Sequence, residues 1–225
     1  MIRMARLVLV GVLLTTTQLS ACSMKANRSA PASTATTSAP SPLPPPSPPR
    51  GDGALGGTSL PARWWVWSES MPGGRNPVDD ATGAACAQSQ PADVWFLAGT
   101  HGGSATRTCS LPIGRPIYFP VINQICTLTS GQSAAAAISG CTAKADKARA
   151  TLDGAPLPVN EATSGSDFAI TAAPGSRSLS AGAHRAVAWG LWVGPMALVK
   201  GRHTVTILGT AGTFSNSVTY SLTVT

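Results

Sequence analysis

Charge is scarce in this chain of 225 residues. Only 11% of its residues are Asp, Glu, Lys or Arg, less than half of the ~25% of an average soluble protein. Together with 43% apolar residues, that excludes a disordered polyelectrolyte. No apolar run reaches the ~18–20 residues of a membrane-spanning helix, which excludes a multi-span membrane protein. Long helices are also disfavoured, because 23 Gly and 19 Pro argue against a bundle or coiled coil. Basic residues outnumber acidic ones for a formal +7, but they do not cluster into the stripe that nucleic-acid binding requires. Two of them, Arg3 and Arg6, sit at the extreme N-terminus, and from Ser59 onward eleven basic residues face eight acidic ones.

What is present begins with an address. Arg3 and Arg6 form a basic head, Leu7 to Leu14 (LVLVGVLL) an apolar core too short to span a bilayer, and Leu19-Ser20-Ala21-Cys22 a small-residue ending. This order reads as a secretory signal over residues 1–21. Its ending resembles a bacterial lipobox, which implies that the Cys22 thiol receives a diacylglycerol and that the chain is cut just before it. Two or more acyl chains make such an anchor stable. The expected location is the extracytoplasmic side of the cell membrane, with the membrane as a partner through the lipid.

Residues 22–58 then read as a tether. Ala30 to Ala39 contains only Ala, Ser, Thr and Pro, and Pro40 to Pro49 is PSPLPPPSPP. Proline fixes φ and removes a donor, so the stretch favours extended polyproline II. At ~3.1 Å per residue those ten residues reach roughly 30 Å.

Residues 59–225 suit one globular domain of α+β class, mainly β, with a sandwich of antiparallel strands, an N-terminal helix and one Ala-rich helical insertion. Leu60, Trp64, Trp67 and Met71 recur at helical spacing after Ser59, which predicts an amphipathic helix over 60–70 that ends at Pro72-Gly73-Gly74. DVWFLA at 93–98 and PIYFPVI at 116–122 read as strands, with Pro120 at an edge or a bulge. Residues 133–152 are Ala-rich and read as one broken helix. Asp153-Gly154 signals a hairpin. Strands follow at 167–172, 184–193, 203–209 and 217–224, the last with Val218, Tyr220, Leu222 and Val224 on one face.

Five cysteines become one plus four once Cys22 is assigned to the lipobox. An even set in an exported domain implies disulfides, and four cysteines allow three pairings. The sequential one, Cys86–Cys109 and Cys126–Cys141, closes the shortest loops and is the expected one. A zinc site would want a C-x₂₋₄-C knuckle, and none occurs.

The stretch Trp64–Asn123 contains WWVW, NPVDDATGAACAQSQ, DVWFLAGTHGG and RTCSLPIGRPIYFPVIN. It resembles a family of uncharacterised exported bacterial proteins with the order W-W, D-x-T-G-x-x-C, V-W-F-L-A-G, C-x-x-P-x-G and F-P-x-x-N. LVKGRHTVTILG at 198–209 resembles a strand near the end of the same family. The resemblance implies a shared fold and a secreted life, and no mechanism. Cys86 and Cys109 both fall inside its motifs, which supports their pairing.

Catalytic sets are not recognisable. His101 lies in a Gly-rich turn, His184 and His203 open strands, and no His pair has metal-ligand spacing. No serine stands in a G-x-S-x-G elbow, and no Gly-rich phosphate loop is present. Asp79 and Asp80 point opposite ways on an extended chain; an Asx turn at Asp80 is the expected role, with calcium the sharper alternative. No cofactor is assigned. Six tryptophans offer more. Trp65 on the helix, and Trp189 and Trp192 on a late strand, are the candidates for an exposed glycan-stacking surface, although a core role for all six is the blander reading. The expected function is therefore an envelope-anchored binding module of unassigned ligand and oligomeric state. The alternative is a hydrolase of envelope polymers with carboxylates drawn from Glu69, Asp79, Asp80, Asp93, Asp153, Glu161 and Asp167.

Overall fold

The computed structural model describes residues 59–225; the expected signal, Cys22 and the tether lie outside the described residues. Helix α1 (Leu60–Glu69) starts after Ser59, whose backbone is extended, with a proline in the first turn, where its missing N–H costs nothing. Pro72 and Gly73 stop it from continuing. The helix is not amphipathic as expected. Eight of its ten residues are buried, because Trp64, Trp65, Val66 and Trp67 cover all its sides and a helix apolar all round must be enclosed. Indole N–H groups tie it to its cover: Trp64 Nε1 donates to Leu97 O at 3.0 Å and Trp67 Nε1 to Gln88 O at 2.9 Å.

Two sheets make up the rest. The first has the order β1 (Trp95–Phe96), β3 (Ile117–Thr127), β8 (Gly182–Met196), β6 (Asn160–Thr163), with β7 (Phe168–Ala172) also paired to β8. The second runs β2 (Gly103–Leu111), β10 (Phe214–Val224), β9 (Gly201–Ala211), β4 (Lys147–Leu152), β5 (Ala155–Pro156). The fold is mainly β as expected, but the sandwich is not purely antiparallel: β1 pairs β3 and β10 pairs β2 in parallel.

Strand alternation builds three layers. Ile117, Phe119 and Val121 of β3 face the second sheet, where Val205, Ile207, Val218, Tyr220 and Leu222 meet them. Phe96, Tyr118, Ala188 and Trp192 face α1. Register shifts flank Pro120 in the β3–β8 ladder, so the proline sits at a bulge inside the sheet. Val218, Tyr220, Leu222 and Val224 are all buried on one face of β10. The outward face of the second sheet is rich in hydroxyls, with Lys147, Arg149 and Arg202 among them. Thr106, Thr219, Thr206 and Thr151 form one cross-strand row over four strands, and threonine is a favourable strand residue that water solvates.

The expected helix over 133–152 ends at Gly140, and its second part is a strand. Over 133–152 only α2 (Ala134–Gly140) is helical, capped by Ser133 Oγ on Ala136 N. Residues 147–152 form β4, because Lys147 and Arg149 point out while Ala150 packs inward; the alternation outweighs the helix propensity of alanine. Asp153 and Gly154, at φ 53 and 84, make the tight turn from β4 into β5. Both expected disulfides form. Cys86–Cys109 ties the 82–86 loop to β2, and Cys126–Cys141 ties the end of β3 to α2.

Candidate functional site

The three tryptophans named as candidates for an exposed surface are buried, as the core reading of all six had it: Trp65 is 7%, Trp189 4% and Trp192 2% accessible. Trp192 stacks on Tyr118 with ring centroids 5.1 Å apart beneath α1 and donates to Ala162 O. Trp189 donates to Glu161 Oε1 at 2.7 Å. No stacking surface is built from them. The helix that covers the first sheet, and the β6 edge beside β8, remove the exposure that strand parity alone suggested.

Trp65 does line a cleft. Its wall is formed by Trp64, Trp65 and Glu69 of α1, by Val78 and the Gly99–His101 loop, by Val121, Asn123, Gln124 and Ile125 of β3, by Ser178, and by Phe214 and Asn216 of β10. The space is about 240 Å³. Trp65 Nε1, His101 Nε2 and Asn123 Nδ2 are buried without a hydrogen-bond partner, and all three residues belong to this wall. An unsatisfied buried polar atom costs ~1–3 kcal/mol, so each calls for a reason. A larger hollow of about 630 Å³ lies between the 127–134 segment and β8. It is open to solvent, and its Asp167 is already paired with Arg185.

The loops around the first cleft are fixed from behind by Arg107, which β2 turns inward and which is only 1% accessible. Its Nε donates to Asp80 O at 2.6 Å, Nη1 to Ala98 O at 2.6 Å and Gly99 O at 3.0 Å, and Nη2 to Val78 O at 3.2 Å. Nη1 also lies 2.8 Å from Tyr220 Oη. Asn216 completes the clamp: its Oδ1 accepts from Thr100 N at 3.0 Å and its Nδ2 donates to Val121 O at 3.0 Å. The D-x-T-G segment has a structural logic of its own. Asp80 Oδ1 accepts from Thr82 N and Oδ2 from Ala85 N, both at 2.8 Å, which is the expected Asx turn. A Cβ on Gly83 would lie 2.2 Å from Thr108 O, so only glycine lets this loop lie on β2 next to the Cys86–Cys109 bridge.

Burial pushes the Glu69 carboxyl above the ordinary range, and the nearby Asp79 charge adds to this, against hydrogen bonds from Ser176 and Ser178 and the attraction of His184. Burial pushes His101 down toward the neutral imidazole; Asp79 opposes this and Arg177 assists it. His101 Nε2 is 3.6 Å from Asp79 Oδ1, beyond hydrogen-bond reach. Burial disfavours the Asp80 anion, but backbone N–H groups of Ala85 and Thr82 still hold its carboxyl below the usual range.

Of the seven carboxylates named from sequence, five are engaged elsewhere. Asp80 closes its turn. Asp93 holds Arg63, Asp153 holds His203, Glu161 accepts from Trp189, and Asp167 pairs with Arg185. Glu69 and Asp79 remain near His101, Glu69 on this cleft and Asp79 on an adjoining one lined by Asp80, Arg107 and Arg177. The other two histidines have partners away from this cleft: His184 Nε2 is 2.7 Å from Ser180 O, and His203 meets Asp153 and Val199. Among the described residues no group of three His, Cys, Asp or Glu side chains is placed to hold a metal ion, and no helix is long and apolar enough to cross a membrane.

Sequence reasoning missed Asn123 and Asn216 as site residues, and it placed Glu69 and His101 without a shared cavity. The signal that was available lies in the quoted motifs. Trp64 and Trp65 of W-W, Gly99 of V-W-F-L-A-G and Asn123 of F-P-x-x-N all line this cleft.

Fold and cleft together define a class: a disulfide-stapled, mainly β domain with a helix on one sheet and a small polar cleft at that helix's C-terminal end. No protein-family model, curated protein or solved structure searched matches the chain.

Proposed function

We propose that this chain is a cell-envelope lipoprotein, anchored through acylated Cys22 and held off the membrane by its Pro-rich tether, whose domain binds a small polar ligand in the α1 cleft. The observation that carries the binding role is the set of three unpartnered polar atoms, Trp65 Nε1, His101 Nε2 and Asn123 Nδ2, on one wall. A folded chain gains nothing from leaving such groups unpaired, whereas a ligand that pairs them recovers their cost on binding. The extracytoplasmic address is supported by Leu19-Ser20-Ala21-Cys22 and by two disulfides, which persist in oxidising compartments. The four motif residues on the cleft fit membership of the exported family that the sequence resembles.

The test is a titration of the full-length chain with soluble envelope fragments, read by tryptophan fluorescence. A saturable change, weakened in Asn123→Ala, is expected. A flat response to every fragment refutes the binding role.

A second reading has one observation in its favour. Glu69 is 2% accessible, lies on the cleft and has a raised carboxyl pKa, as a general acid of an envelope-polymer hydrolase would. Fragment turnover abolished by Glu69→Gln decides for that class.

A further inference from the structure

We infer that the α1 cleft receives a neutral N-acyl group, the acetamido group of an N-acetylated sugar being the best match to its walls. This rests on the binding role proposed above and names the ligand class for the same site.

Hydrogen-bond polarity decides first. Trp65 Nε1 can only donate, and Asn123 Nδ2 can only donate. Both are buried and unpartnered. The ligand must therefore bring an acceptor, and a carbonyl oxygen has two lone pairs for the two donors. A cation brings no acceptor to these donors, and burial pushes the Glu69 carboxyl toward its neutral acid.

Charge decides next. Arg177 lies 3.7 Å from Asp79. Arg107 is spent on backbone carbonyls beside Asp80. Among the described residues no cationic side chain lines the cleft, and Glu69 is the acid on its wall. A carboxylate ligand would meet Glu69, with Asp79 close behind His101, and find no opposite charge. The ligand is neutral.

Shape and apolarity decide last. About 240 Å³ corresponds to roughly eight waters at ~30 Å³ each, below the ~300–1,000 Å³ of drug-sized pockets. Val78, Ile125 and Phe214 offer an apolar wall for a methyl group, which a plain sugar does not fill. Glu69 offers an oxygen for the amide N–H. The acetamido group combines acceptor, donor and methyl in one small unit, and none of these roles needs a stacking face, which matches the burial of Trp65.

The experiment uses the full-length chain in detergent, ¹⁵N-labelled, with indole N–H resonances followed by NMR. The probes are N-acetylglucosamine, glucose and sodium acetate. N-acetylglucosamine is expected to shift the Trp65 indole resonance saturably, while that of Trp95, also unpartnered but packed between the sheets, stays in place. Trp65→Phe assigns the peak. Asn123→Ala is expected to weaken binding about tenfold or more, the loss of one hydrogen bond, with the other indole peaks unmoved. An equal response to glucose or acetate overturns the acyl class and leaves a binding cleft. No Trp65 shift with N-acetylglucosamine overturns the inference outright, and the envelope-fragment titration then judges the binding role separately.

Discussion

Arg107 is the side chain whose removal should be felt most widely. It is 1% accessible, and its guanidinium bonds the carbonyls of Val78, Asp80, Ala98 and Gly99 and the Tyr220 hydroxyl. Arg107→Met keeps much of the volume and deletes the donors. Ala98 O retains Tyr220 Oη at 2.9 Å, but the other three carbonyls lose the guanidinium. At ~1–3 kcal/mol for each unsatisfied group, the gross loss is roughly 3–9 kcal/mol. Against it stands the desolvation of a buried cation, several kcal/mol that the variant no longer bears. From the middle of that range the net expectation is about 3 kcal/mol, or roughly 10 °C in Tm for a domain of this size. Arg107→Lys should lose less, since the charge stays, yet it should not approach wild type, because one ammonium cannot span both loops as the planar fork does. Guanidinium chloride unfolding of both variants gives the numbers. Hydrogen exchange at residues 98–102 should rise in Arg107→Met before the sheets open. A loss below about 1 kcal/mol in Arg107→Met, with unchanged exchange in that loop, would refute the clamp.

Glu69 supplies a pH test. Its folded pKa lies above its unfolded one, so its contribution is complete below about pH 4.3 and declines as pH rises through the raised value. Glu69→Gln should therefore gain stability relative to wild type as pH rises from about 4 to 8; a pH-independent difference between the two would sink this. The bridges enclose separations of 23 and 15 residues, so Cys86→Ser/Cys109→Ser and Cys126→Ser/Cys141→Ser should each lose about 3 kcal/mol in chemical denaturation, and a loss near zero for either pair would contradict the chain-entropy argument. Mass spectrometry of the mature N-terminal peptide should find a diacylglyceryl Cys22, and an unmodified terminus at any other residue refutes the anchor. Limited proteolysis should trim residues 23–58 and leave a core near 59–225, while a resistant Pro-rich segment speaks against a tether.

The strands that were legible were those in which one physical rule acted alone. In β10, Val218, Tyr220, Leu222 and Val224 alternate with Ser and Thr, and two-residue periodicity suffices. Asp153-Gly154 turned where its chemistry requires. The cysteine pairing followed from loop length. In β4, two rules disagreed. Alanine favours helix, while the alternation of Lys147 and Arg149 with Ala148 and Ala150 favours strand, and the partner strand β9 gave the alternation its reward. Trp65, Trp189 and Trp192 failed as surface candidates because burial by a distant helix and by an edge strand is not written in local periodicity.

β2 was invisible for a more informative reason. Its inward positions include Arg107, Cys109 and Leu111 and its outward ones Thr106, Thr108 and Ser110, so the apolar alternation breaks at the arginine. That same arginine holds the Val78 and Ala98–Gly99 backbone that frames the cleft. Local rules tend to fail where a chain keeps a group for something other than folding. A buried cation inside a strand, unpartnered donors at Trp65 and Asn123, and an acid at Glu69 are three such failures around one cavity of about 240 Å³. The residues concerned come from α1, β2 and β3, spread over positions 65 to 123, and only the packing of α1 on the first sheet brings them to one wall. The scarcity of charge sharpens the point. A chain this poor in charge had apolar or hydroxyl alternatives at these positions, yet the glutamate and the free indole N–H stand at the cavity and the arginine holds its frame from behind.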